Sequence, residues 1–365
     1  MKILLIRLRL IGDVVFTTPL LGALKRTFPE SRLTYLVERD AAPVVTGNPH
    51  LAQVIVVPRT RGWARVRDDL RLARRLRAEA FDVVFDLHGG PRSSWLTWAT
   101  GAPQRIGYDI QGRSWQYTRT AHRPRGLQRR HSVVNQWELL TALAEWPGTP
   151  PDPARDPAEM TIDAEADGRI AQRLRAAGVD HRHEIAVIHV SAGNPFRRWP
   201  EPAFATLVAG LAAGNDRRRI ILSSGPSDRM AADRIALAAR RELGPARAGQ
   251  VLEFGDVDLV ELRALIERSV LFVGGDSGPL HIASTTRTPV VGIYGPTLAA
   301  RSAPWRDPRI PTESVQVDNL PCRPCEQRVC VPGDFRCLTH IDPQTVIAAA
   351  ERALALVHAN VRTHS

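Results

Sequence analysis

At 365 residues the chain is long enough for two domains that each bury a core, which excludes a small stapled scaffold. Apolar residues make up 44% and charged residues 24%, ordinary globular values that exclude widespread disorder. The 49 Lys and Arg against 38 Asp and Glu give a net charge of +11, which admits acidic partners such as phosphates, nucleic acid or an anionic membrane face.

The opening Met1-Lys2-Ile3-Leu4-Leu5-Ile6 is interrupted by Arg7, Arg9 and Asp13 before an export core can form, and no later run is long enough to span a bilayer. A cytoplasmic protein is expected, with any membrane contact peripheral. Ile3 to Ile6 reads as a strand, Leu10-Ile11-Gly12-Asp13 as a loop, and the stretch through Phe28 as a helix. Leu33 to Val37 and Val54 to Val57 follow as strands, Arg67 to Ala80 as a helix and Val83 to Leu87 as a buried strand. Between Trp146 and Pro157 five prolines exclude a helix and mark a linker. The alternation then resumes with strand Ile185–Val190, helix Pro202–Ala213, strand Arg219–Ser223, helix Asp228–Leu243, strand Val251–Phe254 and helix Leu259–Ser269. Strand Leu271–Val273, helix Pro279–Ser284, strand Val290–Tyr294 and a terminal helix Pro343–Val357 complete the reading. Strands alternating with helices imply parallel sheets. The expected organisation is an α/β protein with a domain over residues 1–150, a second over 151–342, and a helix and tail over 343–365. Two such Rossmann-like halves would face a cleft, with ligands beyond the carboxyl ends of the strands.

Four segments carry candidate chemistry. In Phe272-Val273-Gly274-Gly275-Asp276-Ser277-Gly278-Pro279-Leu280-His281, a strand enters a Gly-rich turn and then a helix with Pro in its first turn. Backbone N–H groups around Asp276, Ser277 and Gly278 can hold a diphosphate there; a plain strand-to-helix turn with a Ser cap fits the same residues. His281, four residues after Ser277, is either a donor contact or a structural histidine. In His189-Val190-Ser191-Ala192-Gly193-Asn194-Pro195-Phe196-Arg197-Arg198-Trp199-Pro200, Ser191, Ala192 and Gly193 offer hydroxyl and backbone donors. Arg197 or Arg198 can neutralise a leaving group, unless the loop is merely a solvated basic one. Asp13 is either a helix cap or a general base that takes the proton of an acceptor hydroxyl. Cys322, Cys325, Cys330 and Cys337, within sixteen residues of a Pro-rich loop, are compatible with a structural zinc site; free thiols or a redox pair are the alternatives.

Taken together these stretches resemble glycosyltransferase family 9, the ADP-heptose:lipopolysaccharide heptosyltransferases, over nearly the whole chain. Gly12-Asp13-Val14 is similar to the family's opening turn, and the resemblance implies Asp13 as catalytic base. Asp86-Leu87-His88-Gly89 resembles its Asp-x-Gln-Gly segment with His88 in place of glutamine, and His88 and Arg92 are assigned to the acceptor side. Arg197-Arg198-Trp199-Pro200 resembles its Lys-x-Trp-Pro element, with Arg197 where a phosphate-contacting lysine is usual. Asp276-Ser277-Gly278-x-x-His281 resembles its donor motif, and Asp228 stands where an acid near the donor nucleoside is expected. The resemblance implies a GT-B fold and inverting transfer of heptose from ADP-heptose to a lipid A-linked, phosphorylated core saccharide at the cytoplasmic face of the inner membrane. It implies no metal requirement for catalysis. Two rivals remain: a GT-B-type nucleotide-sugar epimerase or transferase of another sugar, and a non-catalytic nucleic-acid binder, for which no RNP, KH or helix-turn-helix signature speaks.

Overall fold

The computed structural model describes residues 1–57, 60–122 and 129–362. Residues 363–365, the end of the expected tail, lie outside the described residues. The chain divides into two compact units, Met1–Thr161 and Ile162–Ser365.

The first unit runs β1 (Lys2–Ile6), α1 (Ile11–Val15), α2 (Thr18–Thr27), β2 (Arg32–Glu38), β3 (Leu51–Val57), α3 (Gly62–Ala78), β4 (Val83–Asp86), α4 (Pro91–Ala99), β5 (Gln104–Tyr108), β6 (Arg119–Ala121) and α5 (Ser132–Thr141). The second runs α6 (Ala164–Ala176), β7 (Glu184–His189), α7 (Glu201–Ala213), β8 (Arg218–Ser223), α8 (Arg229–Leu243), β9 (Val251–Leu252), α9 (Leu259–Glu267), β10 (Leu271–Gly275), α10 (Gly278–Ala283), β11 (Val290–Tyr294), α11 (Ala299–Ser302), β12 (Thr312–Gln316), α12 (Arg336–Thr339) and α13 (Pro343–Arg362).

Among the described residues each unit holds one six-stranded sheet, ordered β3-β2-β1-β4-β5-β6 in the first and β12-β11-β10-β7-β8-β9 in the second. The strand pairs are parallel, as the alternation predicts. Read from its own first strand, the second sheet repeats the order of the first, so both are doubly wound Rossmann sheets. Each has a switch point, between β1 and β4 and between β7 and β10.

Central strands buried on both faces read as continuous apolar runs, which is why Ile3 to Ile6 and Leu271 to Val273 are fully buried. Against the first sheet α3 packs Leu72, Ala73 and Leu76, in one cluster with Leu4, Ile6, Val84 and Leu96. Each such buried leucine contributes roughly 1.5–3 kcal/mol. In the second unit one sheet face is covered by α7, α8 and α13 through Leu207, Val208, Ile235 and Val346, the other by α6 and α9 through Ile170, Leu262 and Ile266.

The helix read from Asp13 to Phe28 is two helices. Pro19 in the first turn of α2 has no N–H to give to the preceding turn, so the chain breaks between Val15 and Thr18. The proline-rich segment is packed on the first unit: Trp137 Nε1 donates to the Thr149 carbonyl at 2.8 Å, and the buried Asp156 carboxylate pairs with Arg26 and Arg155. Short or polar elements, among them α4, β5, β6 and β12, carry too little apolar periodicity to be read from the sequence.

Candidate functional site

Apart from the cysteines and Asp228, which follows β8, each sequence segment singled out for chemistry sits at or beside the carboxyl end of a strand flanking a switch point. In the second unit β7 delivers His189 and Ser191, and β10 delivers Asp276 and Ser277. Asp276 is 2% exposed and is the hub of this half. Its carboxylate faces Arg197 Nη1 at 3.2 Å and His281 Nε2 at 3.4 Å, and accepts from Thr297 Oγ1 at 2.5 Å. Burial alone would push the carboxyl up, but His281, Arg197 and Thr297 outweigh it and hold it down to about 2. Arg197 Nη1 also donates to the Asp276 carbonyl at 3.1 Å, and its Nε donates to Gln327 Oε1 at 2.7 Å. The guanidinium, with its side chain 31% exposed, is thus clamped in place with one face left to solvent.

Ser277 is the N-cap residue of α10, but its side chain makes no capping bond and its buried hydroxyl has no hydrogen-bond partner among the described residues. A plain Ser cap therefore does not account for it, and a hydroxyl left over beside Gly278 and Arg197 can serve a ligand. Ser191 donates to the buried Asp228 carboxylate, which also faces Arg198 Nη2 at 3.1 Å. Arg198 Nε returns to the Ala192 carbonyl at 2.9 Å, closing a ring that fixes the Ser191-Ala192-Gly193 backbone. His189, buried behind it, bonds Ser223 Oγ at 3.0 Å, and burial pushes its ring down to about 4.

In the first unit Asp13 stands in the first turn of α1, where Leu10, not Asp13, is the cap residue. Its carboxylate pairs instead with Arg7, whose Nη1 donates to the Leu87 carbonyl at 2.6 Å. The capping alternative is thus replaced by an ion pair that ties α1 to the end of β4. Asp86 is fully buried and accepts from the backbone N–H groups of His88 and Gly89 at 3.0 and 2.9 Å, from Ser93 Oγ at 3.0 Å and from Tyr117 Oη at 2.7 Å. Burial outweighs these donors and raises its pKa. Its work is to shape the turn that presents His88.

His88 and Arg92 line a cavity of about 380 Å³ together with Leu8, Arg9, Glu38, Thr60, Arg61, Arg65, Gly90 and Pro91. Arg92 already donates through Nε to both Asp69 oxygens, at 3.1 and 3.2 Å, and faces Glu38 at 3.4 Å. Of the other arginines lining the cavity, Arg65 faces Asp69 at 3.8 Å, and Arg9 and Arg61 complete its positive lining.

Among the described residues no group of three or more His, Cys, Asp or Glu side chains is placed to hold a metal ion. Cys322, Cys325, Cys330 and Cys337 instead line a narrow pocket with Phe196, Val329, Val331 and Phe335. Cys337 is buried in the core beneath it, and burial, with the neighbouring thiols, pushes its own up to about 11, so that the protonated thiol packs as an apolar group.

Sequence reasoning missed Arg7, Arg9, Arg61, Arg65, Thr297 and Gln327. Arg7 and Arg9 follow a strand directly, the position that flagged Ser191, and were legible on that ground. Gln327 and Thr297 reach the site only through the path of a loop.

The Escherichia coli protein lipopolysaccharide heptosyltransferase 3 is 26% identical over 354 residues, covering 95% of this chain and 97% of its own. The lipopolysaccharide core heptosyltransferase OpsX of Haemophilus influenzae is 25% identical over 304 residues, 83% of this chain and 81% of its own. Among solved structures, the family 9 glycosyl transferase of Veillonella parvula superposes with a TM-score of 0.80 at 22% identity over 97% of each chain. ADP-heptose lps heptosyltransferase II of E. coli does so with a TM-score of 0.74 at 18% identity, over 99% of this chain and all of that one. The fold is thus the GT-B α/β fold that the sequence led us to expect. The glycosyltransferase family 9 (heptosyltransferase) model matches residues 69–334, well over half of the chain, and the chain belongs to that family.

Proposed function

We propose that this enzyme transfers heptose from ADP-heptose to a lipid A-linked, phosphorylated core saccharide, with inversion at the anomeric carbon. The observation that carries the donor assignment is the clamped Arg197 beside Asp276 at the second switch point, a preorganised cation next to the unused Ser277 hydroxyl. In this reading Arg197, Ser277, the Gly278 amide and the Ser191-Ala192-Gly193 backbone hold the diphosphate. His281 and Asp276 fix the turn, and Asp228 orients Ser191. As the glycosidic C–O bond breaks, negative charge grows on the departing ADP, and Arg197 stabilises that charge without a metal ion.

Residues 1–150 bind the acceptor in this reading and 151–342 the donor, the helix from 343 packing on α7 and β12. His88 and the arginines of the 380 Å³ cavity meet the acceptor's anionic groups. Asp13, oriented by Arg7, takes the proton from the attacking hydroxyl. The reaction belongs at the cytoplasmic face of the inner membrane, where a lipid-linked acceptor is displayed; no described helix is long and apolar enough to cross a membrane.

Calorimetric titration with ADP and UDP in parallel, with and without Mg²⁺, tests the donor half. Selective ADP binding that survives EDTA is expected, followed by transfer from ADP-heptose to core acceptors. Preference for UDP, or loss of binding in EDTA, would overturn the donor assignment or its metal independence respectively.

A further inference from the structure

Helix α3 has two apolar faces, and only one of them is used by the fold. Leu72, Ala73 and Leu76 are buried against the sheet. On the other side Trp63, Val66 and Leu70 stand 88%, 49% and 45% exposed. Their i, i+3, i+7 spacing places all three within about 60° of arc on a helix of 3.6 residues per turn. An exposed tryptophan at the head of an aligned apolar row costs solubility and does nothing for the core.

The charges around the row have one sign. Within Gly62–Ala78 there are six arginines, at 65, 67, 71, 74, 75 and 77, against two aspartates, Asp68 and Asp69. Asp69 is taken up by Arg92, with Arg65 at 3.8 Å, and Asp68 is shared by Arg71 at 3.5 Å and Arg67 at 3.9 Å, so two acids are divided among four arginines and the face keeps a net positive charge, with the Arg67 side chain still 65% exposed. Arg67 and Arg74 lie within about 40° of Trp63 on the same solvent face, their aliphatic stems extending the apolar stripe. A convex stripe of Trp, Val and Leu edged by arginines matches a bilayer interface. The rings and methyl groups enter the acyl boundary while the guanidinium groups meet anionic headgroups.

We propose that the outer face of α3 is a docking surface for an anionic phospholipid bilayer, seated through Trp63, Val66 and Leu70 and held by Arg67 and Arg74. This rests on, and deepens, the peripheral-membrane part of the proposed function. The helix begins at the rim of the acceptor cavity, since Arg61 and Arg65 line it. Seating α3 in the headgroup layer therefore brings that cavity to the level at which a lipid-anchored saccharide leaves the membrane.

The test is co-sedimentation of the full-length protein with mixed phosphatidylethanolamine–phosphatidylglycerol vesicles and with phosphatidylcholine vesicles. The wild type should bind the anionic vesicles and not the neutral ones. Trp63→Ser/Val66→Ser/Leu70→Ser should weaken that binding roughly tenfold or more. Arg67→Gln/Arg74→Gln should weaken it as well and flatten its salt dependence. All five positions are exposed, so circular dichroism and thermal midpoints should match the wild type. Both variants should transfer sugar normally to a deacylated acceptor and poorly to acceptor embedded in vesicles. Equal binding by wild type and triple variant, equal binding to both lipid mixtures, or no binding by the wild type would overturn the proposal. Vesicle binding that is intact in the wild type and lost in the triple variant, with no sugar transfer to any acceptor, would instead overturn the enzymatic reading and leave the docking surface standing.

Discussion

Arg7 and Arg197 do the same kind of work in the two halves. Each is a guanidinium that the fold has already bonded to a carbonyl oxygen, so that its remaining charge points where an acid is wanted. On the first side Asp13→Asn should lower kcat at least about 100-fold while ADP affinity stays within error, because only the proton acceptor is lost. Arg7→Met should lower kcat less and also spare ADP binding. On the second side Arg197→Ala removes a charge-assisted contact worth about 1.5–3 kcal/mol, a fall of roughly 10- to 100-fold in ADP affinity by calorimetry. Gln327 acts through Arg197, whose Nε it holds at 2.7 Å. Gln327→Ala should therefore weaken ADP binding severalfold in the wild-type background and have no further effect in the Arg197→Ala background. Independent, additive losses would show that Gln327 does not position Arg197.

At the scale of elements, strand ends and the turns after them carry the chemistry, and buried polar groups hold those turns. Asp86 closes the β4–α4 turn with four donors, so Tyr117→Phe should cost about 1–3 kcal/mol in denaturant unfolding, more than a surface substitution, by leaving a carboxylate oxygen underpaired in the core. Across β7 and β8 the His189–Ser223 pair makes a pH prediction. The ring titrates at about 4 in the folded chain against the ordinary 6.5. Between those values the unfolded chain binds the proton and the folded one does not, so stability falls as the pH drops from 6.5 towards 4. His189→Asn should flatten that limb of the unfolding profile by about 3 kcal/mol, and an unchanged limb would mean the ring is not neutral in the fold. The helix boundaries were less legible than the strands: α3 begins at Gly62, five residues before the apolar periodicity suggests, because its first turns face solvent and obey no core pattern.

At the scale of the molecule, two doubly wound sheets of the same strand order each present one switch point, and the proposed ligands divide between them. Hydrogen exchange should show this directly. ADP should protect backbone amides around 189–198, 225–228 and 274–281 and leave 86–92 unchanged, whereas an acceptor saccharide should do the reverse. Protection of both sets by ADP alone would contradict the division of labour. The charge of +11 belongs to this scale too: acceptor affinity should fall with added salt more steeply than ADP affinity, since Arg9, Arg61 and Arg65 line one cavity.

His88 was reached through the family resemblance, whereas local pattern alone carried the parallel α/β architecture, from apolar runs alternating with helical periodicity, and the turns around Asp13, Ser191 and Asp276, from Gly, Pro and polar residues that follow strands. These survive in a linear reading because a strand and the turn after it are neighbours in the chain. Which charges meet follows from the path of the chain in three dimensions. Arg7 with Asp13, Arg92 with Asp69, and Gln327 with Arg197 are brought together by chain paths of 6, 23 and 130 residues, which no spacing rule encodes. The fold also places the four cysteines around one narrow pocket, because the burial of Cys337 depends on what α12 packs against. The same holds for α3, whose two apolar stripes look alike in sequence until the sheet covers one of them.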